Sequence, residues 1–204
     1  ELTIDTYLDE VASHAKLIVL RLLGGQAYFN YLCEAVCELA EENDIKVIFL
    51  PGHDEPDLEL MKLSNVPFAL VDKLWQYLLA AGLDNIREAI KLILNEQFDY
   101  QFKIKAIEKV PHLFLWHPQK GITQNHDELP ELKEESTNVS LLITYRAHYL
   151  ANNLKPIYRL SEALEEQGFF PLVLMALSFR DPAIEKEMSD LLVKYQLKPT
   201  VSIN

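Results

Sequence analysis

The run Lys16-Leu17-Ile18-Val19-Leu20-Arg21-Leu22-Leu23 stops at Gly24-Gly25, and a helical stripe and a second apolar run follow it. Few folds accommodate that succession. The first run is rich in β-branched residues and leucine, the pattern of a strand covered on both faces. From Gln26 to about Asn43, Phe29, Leu32, Cys33, Val36, Leu39 and Ala40 recur at helical spacing and make one buried stripe. Lys46-Val47-Ile48-Phe49-Leu50 is a second buried strand, closed by Pro51-Gly52. Strand, glycine turn, helix and strand compose a right-handed βαβ unit with parallel strands. Two helices follow. One carries the stripe Val71, Leu74, Trp75 and Leu78 and ends at Gly82; the other is capped by Asp84, with Ile86, Ile90, Ile93 and Leu94 inward. They are expected to pack beside the first sheet.

The texture changes between Pro118 and Asn138, where Asp127, Glu128, Glu131, Glu134 and Glu135 gather around Pro130 and read as a solvated linker. Val139–Tyr145 opens a second unit as another strand. A polar loop from Arg146 to Asn153 leads to a helix with Ile157, Leu160 and Leu164 inward, stopped by Gly168; Asn153 is its expected N-cap. Phe170–Leu177 is the next strand. Asp181-Pro182 starts a helix that buries Ile184, Met188, Leu191, Leu192 and Tyr195, and Pro199–Ile203 is a third strand. The expected fold is α/β: two Rossmann-like lobes with parallel sheets and additional helices beside the first. The expected divisions are 1–117, a linker over 118–138, and the start of a second lobe over 139–204. A helix with no strand to pack under precedes the first strand, the last strand runs into the terminus, and Glu1 stands where Met would. The expectation is an excised piece of a longer chain.

Composition narrows the partners. Thirty-one acids against 19 bases give a net charge of −12, which repels phosphate backbones and argues against nucleic acid. No apolar run reaches the roughly 20 residues of a membrane span, so a soluble cytoplasmic protein is expected. Cys33 and Cys37, four apart on one helix face, are poorly placed for a disulfide and read as reduced thiols.

The chain lacks a GxxxxGK[ST] phosphate loop, GxGxxG, HExxH and GxSxG. Gly24-Gly25, flanked by Arg21 and Tyr28, either permits a tight strand-to-helix turn or lets backbone N–H groups meet an anionic or polar ligand. His112 and His117, five apart in a strand, point to opposite faces and suit no shared metal. His126 is expected to be solvated, and His53 either caps its acidic loop or helps hold a cation. No metal site is assigned. The segment Tyr145-Arg146-Ala147-His148-Tyr149-Leu150-Ala151-Asn152-Asn153 gathers a cation, an imidazole, two phenols and two amides directly after a buried strand. Ligands of open α/β sheets sit outside the carboxyl ends of the strands. Arg21–Gly25, Gly52–Asp54, Arg146–Asn153 and Ser178–Asp181 all fall there, where they either line a site or merely cap helices.

Those same stretches resemble the large-subunit family of cobaltochelatase and magnesium chelatase, nearer the cobalt branch. The resemblance rests on Arg21-Leu22-Leu23-Gly24-Gly25-Gln26-Ala27-Tyr28 and Leu50-Pro51-Gly52-His53-Asp54-Glu55-Pro56-Asp57. It continues through His117-Pro118, the segment from Tyr145 to Asn153, and the strand after Glu165-Glu166-Gln167-Gly168. The family more often has Arg at Gln26, Asp at His53 and Gly at Asn152. The resemblance implies an N-terminal fragment of a large tetrapyrrole-binding subunit, part of a ligase that forms nitrogen–metal bonds. AAA+ ATPase subunits, as partners, drive insertion with ATP. The metal is cobalt, placed in hydrogenobyrinic acid a,c-diamide during cobalamin synthesis; in the other branch it is magnesium, placed in protoporphyrin. A non-catalytic ligand-binding or docking lobe is the remaining alternative. No cofactor is expected on the fragment itself, and most catalytic groups are expected beyond residue 204. Insertion needs bases for the pyrrole N–H protons, and His148 is the one candidate base. Arg21 and Arg146 are candidate partners of substrate carboxylates, with Gly24, Gly25, Tyr28, Tyr145, Asn152 and Asn153 completing the expected substrate-binding set.

Overall fold

A computed structural model describes residues 2–123, 128–129, 138–194, 199 and 201–203. The chain divides into two compact units, Glu1–Glu108 and Lys109–Asn204.

In the first unit, α1 (Leu2–Glu10) and a 3-10 turn (Ala12–His14) precede β1 (Leu17–Leu22). The helix expected from Gln26 instead begins as a 3-10 turn over Gln26–Tyr28, and α2 spans Asn30–Asn43. Next comes β2 (Lys46–Pro51), parallel to β1 in a register from Leu17↔Lys46 to Leu22↔Pro51. Then follow α3 (Leu58–Lys62), α4 (Phe68–Ala80) and α5 (Leu83–Phe98). One face of the sheet, with Ile18, Leu20, Leu22, Val47 and Phe49, packs on α1 and α2. The other, with Leu17, Ile48 and Leu50, packs on α4 and α5. β2 is buried, but β1 is covered less than its composition suggested: Val19 and Arg21 are exposed, because the α4 layer reaches only Leu17 on that face. The outer edge of β2 is closed by side chains. Asn65 Oδ1 accepts from Val47 N at 2.7 Å, Asn65 Nδ2 donates to Ile45 O at 2.8 Å, and Ser64 Oγ accepts from Phe49 N at 2.9 Å. Cys33 and Cys37 are free thiols, and burial above all pushes both pKa values up.

The buried stripe of α5 is rotated from the expected one. Asn85, Glu88, Ala89 and Leu92 face inward, while Ile90 is 53% exposed. Asp84 does not cap α5; it pairs with Arg87 in the first turn, after Gly82 at the N-cap. The rotation serves the extended segment 102–108, whose backbone α5 binds. Asn95 joins Phe102 N and O at 2.8 and 2.7 Å, and Asn85 joins Glu108 N and O at 3.0 and 2.7 Å. Between them Glu88 Oε2 accepts from Lys105 N at 2.9 Å, and the Tyr77 hydroxyl donates to Lys105 O. Every third residue is held in this way. Ile104 and Ile107, offset by two from Phe102 and Lys105, enter the α4–α5 core.

Glu88 is buried, and its carboxyl lies below the ordinary value of 4.5 because the Lys91 ammonium and then the Lys105 N–H donate to its ionised form. A depressed folded pKa contributes stability above the unfolded value and loses it as pH falls through the folded one. Below pH 4.5, therefore, the first unit should weaken more steeply in the native chain than in Glu88→Gln. Urea titrations followed by Trp75 fluorescence in a Trp116→Phe background check this; parallel pH profiles would refute it.

In the second unit, β3 (Leu113–His117) and β4 (Gly121–Thr123) precede β5 (Val139–Tyr145), α6 (Arg146–Leu150), α7 (Lys155–Glu166), β6 (Phe170–Ala176), α8 (Pro182–Lys194) and β7 (Val201–Ile203). The strand order is β4-β3-β6-β5-β7, parallel among β6, β5 and β7 and antiparallel from β6 to β3 and β3 to β4. This corrects the expected division at 117. Leu113–Trp116 pairs with Val173–Ala176, so the strand belongs to the second sheet and the unit starts at Lys109. The expected linker is likewise structured in part: Gly121–Thr123 is a strand, and Leu129 is fully buried in the core with Leu115, Leu141 and Leu174. Glu128 is exposed, while Asp127, Glu131, Glu134 and Glu135, together with Pro130 and His126, lie outside the described residues, as does Tyr195.

The core of this sheet has two sides. Phe114, Trp116, Leu142, Val173 and Met175 meet Tyr149, Leu154, Ile157 and Leu164 on one, and Leu115, Leu141, Leu172 and Leu174 meet Met188, Leu191 and Leu192 on the other. Helices α7 and α8 thus lie on opposite faces. Leu160, expected inward, is 40% exposed; Ser161 takes the buried position instead. Asn153 does not cap α7, whose N-cap is Leu154, with Pro156 in its first turn.

Candidate functional site

The residues singled out in the sequence form one group at strand ends in each unit. In the first unit the C-terminal ends of β1 and β2 are tied together: Gly52 N donates to Leu22 O at 2.7 Å, and Arg21 Nη2 reaches Gly52 O at 3.4 Å. Gly24 and Gly25 both have positive φ, +94° and +76°. At φ 76° and ψ −172°, Gly25 occupies a region open essentially to glycine alone. A Cβ there would stand 2.8 Å from Asp57 Oδ2, and one on Gly24 would stand 2.8 Å from the Tyr28 ring. Asp57 in turn caps α3 by accepting from Leu60 N at 3.0 Å. The glycines are therefore required by the turn itself. Tyr28, beside them, is 80% exposed. His53 closes its own loop, with Nδ1 2.8 Å from Glu55 O.

The second group lies where the strand order reverses. The chain runs from β5, the middle of the three parallel strands, through α7 on one face to β6, then through α8 on the other face to β7 on the far side of β5. Doubly wound sheets bind their ligands outside the carboxyl ends of the strands at such a reversal. The segment from Tyr145 to Asn153 is the C-terminal end of β5 and the loop after it. Tyr145 is 49% exposed, and its ring meets Phe179, from the loop after β6, at 5.0 Å between centroids and a 60° tilt. His148 is half-buried on α6; Asn152 and Asn153 are exposed, with Asn152 in the left-handed region at φ 52°.

Arg146 is differently employed from what its position suggested. Its Nη1 donates to Val110 O at 2.9 Å and Pro111 O at 3.3 Å, its Nε is buried without a partner, and desolvation lowers its pKa. It fastens the entry to β3. Phe179 and Arg180 lie within Ser178–Asp181, which the sequence placed at a strand end without giving either residue a role of its own. Their loop is shaped by Ser178 Oγ, which accepts from Arg180 N at 3.1 Å, and by Asp181, which caps α8 through Ala183 N at 2.9 Å.

His117 is buried and stacks on Phe170 at 4.9 Å, with Nδ1 accepting from Gln119 N, whereas His112 is exposed. Among the described residues no three His, Cys, Asp or Glu side chains converge as a metal site, and no helix is long and apolar enough to cross a membrane. A groove of about 570 Å³ lies between α4 and Ile104–Ile107 and is lined by none of the residues singled out above.

A family profile described as CobN/Magnesium Chelatase matches residues 75–204, more than half of the chain. The aerobic cobaltochelatase subunit CobN of Pseudomonas aeruginosa is 31% identical over 188 residues, which cover 92% of this chain and 15% of the relative. The subunit of the same name from a Sinorhizobium species is 30% identical over 193 residues, covering 88% of this chain and 15% of that one. The chain thus spans 15% of the length of these curated relatives. The catalytic subunit of cobaltochelatase from Mycobacterium tuberculosis shares the fold at a TM-score of 0.66 and 22% identity, over 92% of this chain and 14% of that one. The glycine turn, the doubly wound second sheet and these matches lead to one conclusion: the chain belongs to the CobN/magnesium chelatase family.

Proposed function

We propose that this chain contributes to tetrapyrrole binding in the large subunit of a cobalt-inserting chelatase. In this reading the substrates are hydrogenobyrinic acid a,c-diamide and a cobalt ion, the setting is cytoplasmic cobalamin synthesis, and AAA+ ATPase subunits drive insertion with ATP. The observation that carries the reading is the polar and aromatic segment Tyr145–Asn153, at the end of β5, where the order of the parallel strands reverses, in a chain of this family. The names of both curated relatives favour cobalt over magnesium.

The chain's own groups would act as follows. Tyr145 offers an exposed ring to the macrocycle. Asn152 and Asn153 offer amides to its polar periphery. His148 would take a pyrrole N–H proton, the step that insertion requires and a neutral imidazole can perform. Arg21, Gly24, Gly25 and Tyr28, at the strand ends of the first unit, are a separate set of candidate substrate contacts. The test is a titration of the 204-residue chain with hydrogenobyrinic acid a,c-diamide and, separately, protoporphyrin, following Trp75 and Trp116 fluorescence with inner-filter controls. Saturable quenching by the corrinoid alone is expected. Quenching by protoporphyrin alone would transfer the reading to the magnesium branch, and no saturable response to either would overturn it.

A further inference from the structure

The guanidinium expected to meet substrate carboxylates, Arg146, is already committed to the carbonyls of Val110 and Pro111. The loop after β6 supplies a replacement. Arg180 is exposed, and among the described residues its guanidinium has no hydrogen bond or ion pair. It follows Phe179, the ring that meets Tyr145 from the neighbouring strand end. Two loops of different origin thus bring together an aromatic pair and a free cation at the carboxyl ends of β5 and β6.

Each half of that arrangement has a chemical preference. A tilted aromatic pair with one member 49% exposed keeps ring surface in contact with solvent, which favours an apolar ligand. A free guanidinium is a planar fork that matches a carboxylate edge. The loop is also pre-shaped, since Ser178 Oγ and the Asp181 cap fix the backbone on either side of Phe179 and Arg180. A nucleotide could satisfy the same pair of preferences, but the chain's charge of −12 disfavours a polyphosphate more than a ligand with dispersed carboxylates.

We infer that Phe179 and Arg180, with Tyr145, form a subsite for a flat macrocycle bearing peripheral carboxylates. Phe179 and Tyr145 take the ring, and Arg180 takes one carboxylate. The inference rests on the tetrapyrrole-binding reading above and gives Phe179 and Arg180, which the sequence placed only within a strand-end segment, roles of their own.

The experiment titrates the 204-residue chain, Phe179→Ala and Arg180→Gln with hydrogenobyrinic acid a,c-diamide, with its methyl-esterified form, and with adenosine monophosphate. Circular dichroism confirms that each variant is folded. Each substitution should weaken binding of the free acid about tenfold, the equivalent of about 1.4 kcal/mol. Phe179→Ala should weaken the ester equally, and Arg180→Gln should leave the ester unchanged. Saturable binding of the acid that both variants retain would overturn the subsite and leave the tetrapyrrole-binding reading intact. Tighter binding of the nucleotide than of the macrocycle, lost in both variants, would also overturn it. No binding by the unsubstituted chain would overturn both readings.

Discussion

Replacing Asn85 by alanine should lower the stability of the unit Glu1–Glu108 by about 2–4 kcal/mol, the largest effect expected of a polar substitution in this chain. Asn85 is 4% exposed. Its amide both donates to and accepts from the backbone of Glu108 and also donates to Ala81 O at 2.6 Å. Alanine would leave a backbone donor and acceptor of the segment 102–108, a strap across α5, without partners. Each buried unpaired group costs about 1–3 kcal/mol, lessened where the strap can move toward water. Each chain half carries one tryptophan, so Trp75 in a Trp116→Phe background reports the first unit alone. Urea unfolding should show a lower midpoint with unchanged slope. Hydrogen exchange at the Glu108 amide should accelerate more than at Val47 N, which Asn65 holds independently. An unfolding free energy within about 0.5 kcal/mol of the parent, the scatter of surface substitutions, would show that segment 102–108 does not contribute to stability.

The same strap shows where sequence reading succeeds and where it fails. Strands β1, β2, β5 and β6 were legible because leucine and β-branched residues were concentrated between glycine and proline breaks, and a parallel sheet needs that concentration. The second unit's α/β alternation followed from the same signals. Ile93 packs on the core as expected, but the α5 stripe was misread at Ile90, which hydropathy alone turns inward, whereas Asn85, Glu88 and Asn95 are turned to a backbone rather than to water. Hydrogen-bonded amides and carboxylates can occupy buried positions, and no periodicity of apolar residues reveals them. The segment Ile104-x-x-Ile107-x-x-Val110 did carry a signal, a period of three, which fits neither the helix nor the strand template. Leu113–His117 was assigned to the wrong unit because pairing partners distant in sequence leave no local trace: Phe114 meets Met175 across an antiparallel ladder. The candidate site was legible as a cluster of chemical types after a strand. Which of its members are free to bind was not, since Arg146 and Arg180 look alike in sequence and differ only in what surrounds them.

That difference makes Arg146→Ala the second informative substitution. If Arg146 fastens Val110 and Pro111, the unit Lys109–Asn204 should lose about 2 kcal/mol, the scale of charge-assisted hydrogen bonds to one guanidinium, reduced by relief of its unpartnered Nε. For a unit of this size the melting temperature should fall by about 4–8 °C for each kcal/mol, read from Trp116 in a Trp75→Phe background. Lysine should not restore it, because a single ammonium on a flexible stem lacks the planar fork that reaches both carbonyls. Macrocycle affinity, measured well below the melting temperature, should fall less in Arg146→Ala than in Arg180→Gln. The opposite pair of results, unchanged melting with affinity lost at Arg146, would mean that the guanidinium leaves its carbonyls to meet the ligand. The carboxylate contact would then return to the residue that the sequence first suggested. A guanidinium with two short-range acceptors and a desolvated Nε has little to gain from that exchange. A solvated one on the adjacent loop has no such bonds to give up, and for that reason the structure favours Arg180.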